Sequence, residues 1–506
     1  MSDHSKSLYS TWVALFLSIG SIACAYYTVI PATTSAQPSF VTYMGLDTAS
    51  NATQLVGAVS GVYIAGCLIG SVLSSQATDS LGRRKSLSLA SALAVLGGAL
   101  QAGASNIGMF IAARLIAGFG IGALFALVPL FQSEIAPPKS RGLIVGTHGI
   151  MISLGTILPS WIGYGFYFVN ANGTQWRLPL AIQCIFPLAL ALGVWFMPES
   201  PRWLITKDRH DDALKSLIRL HRSKHDCDNT FAHKEYLQIR AQHDEDEKER
   251  VSWIQMITVP TYRRRVGVAV FVMIGSQMTA TLLVSVYNPV LYGSLGYGVP
   301  KQLMFTGIWA NFTIIGNTIC AFTVDRMGRV LALKIGWVGD ACAMIGMVVS
   351  LAMFEKSGSH SAAIAAIFFL YLHIIMYATF VDATTYIYTT EIFPNNMRGK
   401  GMSIAIGSYF LILVVQLDTA PTAFANIGWR IILIYLCCLL AFIPFIWLVC
   451  PETKGQSLEE VGLIFGDRHV RVALDGPELS PEQALEISEK LVLPNVNRAE
   501  CEHVEG

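Results

Sequence analysis

Six ionisable residues, Arg114, His148, Asp340, His373, Asp382 and Asp418, stand inside long apolar stretches of this 506-residue chain. A charge at the centre of a bilayer costs ~2.5–3.5 kcal/mol even on lenient scales, so such a side chain normally faces a partner or a polar cavity. Arg114 and Asp382 could pair across a cavity as a proton-handling couple, and His148 could line it. Asp340 and Asp418 fall nearer the expected helix ends and outer faces and read as structural. His373, a lone histidine among aromatics, reads as a packing residue. No other constellation offers chemistry. The sequence has no metal-ligand spacing, nucleophile elbow or phosphate loop, and its ten cysteines, eight of them in apolar stretches, form no CxxC or Cys/His pattern. The expectation is no catalytic residue, no metal, no cofactor, and a protein that is not an enzyme.

Residues of this kind need apolar elements to hold them, and the composition supplies these: 53% hydrophobic against 14% charged residues, with a mean hydropathy of +0.50. Crossing a ~30 Å hydrocarbon core takes about 20 apolar residues in a helix. Suitable stretches fall near 9–30, 54–77, 86–104, 109–131, 143–168, 177–197, 265–292, 302–324, 330–354, 362–388, 402–424 and 430–450. The expected fold class is an all-α polytopic membrane protein with twelve transmembrane helices. The first stretch is too long for a signal-peptide core and lacks a small-residue cleavage site, so it is expected to be the first span.

Between the sixth and seventh stretches, residues 199–264 are dense in charge, including the run from Asp244 to Arg250, and cannot lie in lipid. Ala213, Leu214, Leu217 and Leu220 recur there at helical spacing, which predicts a short amphipathic helix over His210–Arg222. The domain organisation expected is a six-helix unit over 1–198, a central loop with short helices over 199–264, a second six-helix unit over 265–451 and a tail over 452–506. Arg83-Arg84-Lys85, Lys139, Arg141, Arg326, Arg329, Arg398 and Lys400 all fall on the side of the central loop. That asymmetry predicts cytoplasmic termini and a cytoplasmic central loop, and the expected location is the plasma membrane. The sequons at Asn51 and Asn172 then fall outside, as expected glycosylation sites, whereas the one at Asn311 lies within a span and is expected to be unused. A net charge of +1 gives no reason to expect nucleic acid. The expected partners are a small solute and membrane lipids.

The two halves carry the same punctuation in the same order. Asp79-x-x-Gly82-Arg83 after the second stretch recurs as Asp325-x-x-Gly328-Arg329 after the eighth, and Glu134-x6-Arg141-Gly142 recurs as Glu391-x6-Arg398-Gly399. Trp176-Arg177 and Pro198-Glu199-Ser200, which bound the sixth stretch, recur as Trp429-Arg430 and Pro451-Glu452-Thr453 around the twelfth. A duplicated six-span unit places a binding site near the bilayer midplane, between halves that rock against each other.

Together the motifs DSLGRRK (79–85), PESPRW (198–203), DRMGR (325–329), EIFPNNMRGKG (391–401) and PETKG (451–455) resemble the signature set of the sugar porter branch of the major facilitator superfamily. The resemblance runs from residue 9 to about 460 and implies two pseudo-symmetric six-helix bundles working by alternating access. It further implies a gating network of Asp79, Arg83, Glu134, Arg141, Glu199, Asp325, Arg329, Glu391, Arg398 and Glu452. These groups would pair across the halves when the cytoplasmic side closes and part when it opens. Asp79 and Asp325 would face the positive end of a helix in the opposite half.

For the solute, the resemblance carries over residue by residue. Gln277 matches a sugar-bonding glutamine and Tyr287 the second of a tyrosine pair. Tyr386 stands where a tryptophan often lids the sugar, Tyr409 where a glutamine is common, and His148 lies beside Gly149, where another glutamine falls. Ser276, Leu282 and Val286 replace further polar contacts. Each unpaired sugar hydroxyl in a buried site costs about 1–3 kcal/mol. The resemblance implies a sugar or sugar-like compound as the solute, and the loss of amide partners favours as the alternative a less hydroxylated one, such as a polyol, a quinate-like acid or a secondary metabolite. Proton-coupled members of the family carry an aspartate in the first span near an arginine of the fourth. Here the stretch reads Ala25-Tyr26-Tyr27, with Arg114 retained. A tyrosine titrating near 10 does not cycle at physiological pH, so a facilitator is expected. The alternatives are proton symport through Asp382, export, and a non-transporting sensor; the tail after Glu452, about 50 residues, is short for a sensor.

Overall fold

A computed structural model of the chain describes residues 8–135, 141–169, 173–221, 229–248, 251–454, 461, 464 and 465. Among them, all regular structure is helical. Twelve helices are long and apolar enough to cross a membrane. Spans 1 to 6 are Trp12–Ser35, Ala52–Leu81, Arg83–Ala102, Ile107–Ile135, His148–Tyr167 and Thr174–Phe196. Spans 7 to 12 are Pro260–Ser294, Val299–Val324, Arg329–Ser357, His360–Glu391, Met397–Ile427 and Arg430–Val449.

Two spans are broken where chemistry is expected. In span 7 the segment Pro260–Gln277 ends, Ala280 takes a left-handed φ of 60°, and Thr281–Ser294 begins a second segment. A broken helix in lipid needs other donors for its freed carbonyls, and Gln416 Nε2 of span 11 donates to the carbonyl of Gln277 at 3.0 Å. In span 10, His360–Phe380 gives way to Asp382–Glu391. The break places Asp382 at the start of the second segment.

The halves meet along spans 2 and 11 and spans 5 and 8. A methyl group on Gly57 would overlap the carbonyl oxygen of Asp418, and one on Gly61 would lie 2.7 Å from Asp418 Cβ. Farther along the same seam a methyl group on Gly407 meets only Leu68 Cδ1 at 3.9 Å, and one on Gly399 meets nothing within 4 Å. Across spans 5 and 8, Trp161 Nε1 is 3.5 Å from Asn311 Oδ1 and Asn317 Nδ2 donates to Ser153 Oγ at 2.9 Å. The seam is thus tight on the face opposite the central loop.

Between spans 6 and 7 the chain forms helices Pro201–Thr206, His210–His221, Thr230–Lys248 and Trp253–Thr258. Ala213, Leu217 and Leu220 of the second are buried, as their spacing predicts, and Ala213 and Leu217 join Trp203, Leu204, Ala232 and Ile239 in a small separate core. Arg222, expected in this helix, lies outside the described residues.

One expectation is corrected. Asp340 is not near a helix end or an outer face: it lies within span 9, wholly buried, with Oδ1 2.6 Å from Nδ1 of His373 in span 10. His373 is indeed packed, but against this carboxylate. Asp418 does lie toward the far end of span 11 and is exposed.

Candidate solute site and gating network

The duplicated motifs fold into duplicated geometry. Gly82 has φ of 87° and Gly328 of 101°, a region open to glycine, and the chain turns there into spans 3 and 9. Glu199 then accepts hydrogen bonds from the backbone N–H groups of Arg83 (3.0 Å) and Arg84 (3.3 Å), which begin span 3. Glu452 does the same for Arg329 (2.9 Å) and Val330 (3.1 Å) in span 9. Each glutamate therefore satisfies orphan donors at a helix N-terminus. The glycines have a second reason to be glycine: a methyl group on Gly82 would lie 2.8 Å from Glu199 Oε2, and one on Gly328 would lie 2.9 Å from Glu452 Oε2. Burial pushes the Glu199 carboxyl above the usual range, against the pull of the backbone N–H groups and of Arg83.

The arginines pair in the same duplicated way. Arg83 holds Glu134 through two bonds, Nε to Oε2 at 2.8 Å and Nη2 to Oε1 at 2.7 Å. Arg329 reaches Glu391 at 2.9 Å, and Thr453 Oγ1 donates to the other oxygen of Glu391 at 2.6 Å. Each of these bonds closes within its own half, and the pairing across the halves that the motifs imply belongs to a closed cytoplasmic side. Bonds of this kind tie the ends of the spans together within each half. Asp79 is exposed and offers its carbonyl, not its carboxylate, to Trp203 Nε1 at 3.1 Å. Arg398 Nε donates to the carbonyl of Phe393 at 3.3 Å. The side chains of Arg141 and Asp325, and all of Asn172, lie outside the described residues, whereas Asn51 is exposed beside the start of span 2.

In the middle of the bundle, polar and aromatic groups converge from spans 5, 8, 10 and 11. Asp382 Oδ2 accepts a hydrogen bond from Asn317 Nδ2 at 3.1 Å, and the same amide bonds Ser153 of the opposite half. One turn beyond Asp382, the Tyr386 ring lies 6.1 Å from that of Tyr409, and Tyr409 packs edge-on to Phe410 at 5.3 Å. Phe410 in turn meets Phe125 of span 4 at 5.9 Å. His148 Nδ1 is 2.7 Å from Ser21 Oγ, tying span 5 to span 1. Gln277 is buried at the break of span 7, and its side-chain amide has no hydrogen-bond partner among the described residues. Tyr287 is occupied elsewhere: its hydroxyl donates to the carbonyl of Leu417 at 2.8 Å, on the side of the tight seam. Asn317 and Ser153 were missed by sequence reasoning; an asparagine within an apolar stretch was the available signal.

Arg114 does not meet Asp382. Its guanidinium donates to the carbonyls of Tyr27 (2.8 Å) and Val59 (3.1 Å) and lies over the Tyr63 ring at 3.9 Å. No carboxylate among the described residues pairs with it. Tyr26 and Tyr27 turn their hydroxyls to the carbonyls of Pro179 (3.0 Å) and Ala94 (2.9 Å). The place of a span-one carboxylate is thus filled by packing and backbone dipoles.

Twelve spans in two matching halves, broken helices in spans 7 and 10 and a polar cluster between the halves define a solute carrier. The family described as sugar (and other) transporter matches residues 13–465, and the chain belongs to it. Among curated relatives, an MFS-type transporter, criB of Aspergillus cristatus, is 29% identical over 461 residues, covering 90% of this chain and 94% of that one. A probable quinate permease of Aspergillus fumigatus is 28% identical over 492 residues, 92% of this chain and 89% of the relative. The proton:xylose symporter XylE bound to 6-bromo-6-deoxy-D-glucose superposes with a TM-score of 0.76 at 25% identity, covering 91% of this chain and all of that one. An inward-open structure of XylE from E. coli gives 0.73 at 24% identity, over 90% of this chain and all of that one. The protein is an integral membrane transporter that moves a small organic solute.

Proposed function

We propose that the protein is a facilitator for a neutral, sugar-like solute, working by alternating access around the cluster of Asp382, Asn317, Tyr386 and Tyr409. The observation that carries this reading is the Arg114 environment, in which two carbonyls and a tyrosine ring stand where proton coupling needs a carboxylate. Gln277 and His148 complete the solute site from spans 7 and 5. Two aromatic faces and few amides suit a ring with fewer hydroxyls than an aldohexose, since each buried hydroxyl needs its own partner. The loop face is cytoplasmic, from the basic residues of its short loops, and the membrane is the plasma membrane. A quinate-like acid is the second reading, favoured by relatives named quinate permease. The carboxylate of Asp382 at the centre of the cluster opposes a second negative charge there.

A thermal-shift screen of the purified protein tests the solute class, because a ligand of the folded state raises its stability. Neutral polyols and deoxysugars should raise the melting temperature more than quinate does. A larger rise with quinate selects the second reading.

A further inference from the structure

A cavity of about 390 Å³ lies at the loop face, outside the transport path, between the start of span 3, the end of span 6 and the helix His210–His221. Five cations line it, Arg84, Lys85, Arg209, Lys215 and Arg219, against two carboxylates, Glu199 and Asp212. Both carboxylates are engaged, Asp212 by one of the five cations themselves, which leaves the cations in excess. Glu199 accepts from the backbone of span 3, and Asp212 bonds Arg209 at 2.6 and 2.9 Å. Lys85 and Lys215 are exposed and have no acidic partner among the described residues. The cavity therefore carries a standing positive excess.

Two of the cations are held in place. Arg84 Nη2 donates to the carbonyl of Trp195 at 2.6 Å while its buried Nε has no partner, and its guanidinium lies 5.5 Å from the centre of the Trp195 ring. Arg219 Nη2 donates to the carbonyl of Phe196 at 3.2 Å. Both thereby satisfy carbonyls at the end of span 6, so a ligand meets guanidiniums already positioned for oxygen acceptors.

A second, independent feature indicates where the ligand comes from. On span 6, Ile185, Leu188, Leu192 and Trp195 are exposed at helical spacing and form a lipid-facing stripe. It ends at Trp195 and the neighbouring Phe196, and Trp195 itself lines the cavity. A tryptophan at that level marks the headgroup layer. We infer that the cavity binds the phosphorylated headgroup of an anionic phospholipid, whose acyl chains lie along the span 6 stripe. The bound lipid joins the helix His210–His221 to spans 3 and 6, so it braces the central loop against the first half.

The experiment uses the full chain in nanodiscs of phosphatidylcholine alone or with added phosphatidylinositol or phosphatidylinositol phosphate. Melting temperature is read for the native protein, for Lys85→Gln/Lys215→Gln and for Lys215→Gln alone. Neither lysine takes part in the gating network or the solute site. The native protein should melt several degrees higher with the phosphorylated lipid, the double variant should lose at least half of that rise, and the single variant should fall between. All three should melt alike in phosphatidylcholine alone. A full rise retained in the double variant overturns the site. A full rise produced by soluble inositol phosphate in phosphatidylcholine nanodiscs overturns the lipid and assigns the cavity to a soluble anion.

Discussion

Asp340 Oδ1 lies 2.6 Å from His373 Nδ1 with both side chains inaccessible to solvent, and the opposite ring nitrogen of His373 is 3.3 Å from Thr281 Oγ1. These close contacts link spans 9 and 10 to the first residue of the outer segment of span 7, immediately after the break at Ala280. Removing one member of a buried pair leaves the other without its partner, at a cost of about 3–5 kcal/mol. Asp340→Asn or His373→Leu alone should therefore lower the melting temperature strongly, while Asp340→Leu combined with His373→Leu should recover much of the loss. Single variants as stable as the native protein would show that the pair contributes little.

The Arg83 fork on Glu134 is largely shielded, with side-chain exposures of 11% and 8%. Charged hydrogen bonds of this kind contribute about 1.5–3 kcal/mol. Arg83→Ala should slow turnover and loosen the first half while solute affinity stays within about twofold, under 0.5 kcal/mol. Arg83→Lys, unable to bridge both oxygens, should fall between. Binding by thermal shift and uptake measured in parallel check this; equal losses in affinity and rate would place Arg83 in the solute site.

Gly57 sits where any side chain would meet the Asp418 carbonyl across the tight seam. Gly57→Val should hold the halves apart on the far face, keeping solute binding but abolishing transport. Cysteine labelling from the far face should rise in this variant. Normal uptake with unchanged labelling would mean that the seam yields at that point.

At the centre, Tyr386→Ala removes one of two facing rings. Loss of an aromatic contact worth about 0.5–1.5 kcal/mol beyond its buried area should raise KM by severalfold or more, with normal expression. Gln277→Ala should also raise KM, since its side-chain amide has no hydrogen-bond partner among the described residues. Unchanged KM in both variants would remove them from the site.

Much of this architecture was legible in the sequence because bilayer thickness fixes span length and the duplicated Asp-x-x-Gly-Arg and Pro-Glu-Ser/Thr motifs fix the repeat. Hydropathy, however, tells which residues lie in a span and not which face they share. That is why Asp340 read as an outer-face residue, although His373, 33 positions later, supplies its partner. The same blindness separates Asn317 from Ser153 and Asp382, and it made an Arg114–Asp382 pair plausible. Backbone partners leave no trace in side-chain patterns, so the carbonyls that hold Arg114 could not be foreseen. Nor could the break of span 7, which places an alanine in a left-handed conformation.

The facilitator reading turns on whether transport consumes a proton gradient. Initial uptake of the solute into transporter-deficient cells, measured with and without an uncoupler at fixed external pH, tests it most directly. Facilitation predicts nearly unchanged initial rates when the gradient collapses, because Arg114 faces carbonyls and Tyr63 in place of a titrating carboxylate. A severalfold fall that disappears in Asp382→Asn, with the remaining uptake intact, would contradict the reading and place proton coupling at Asp382.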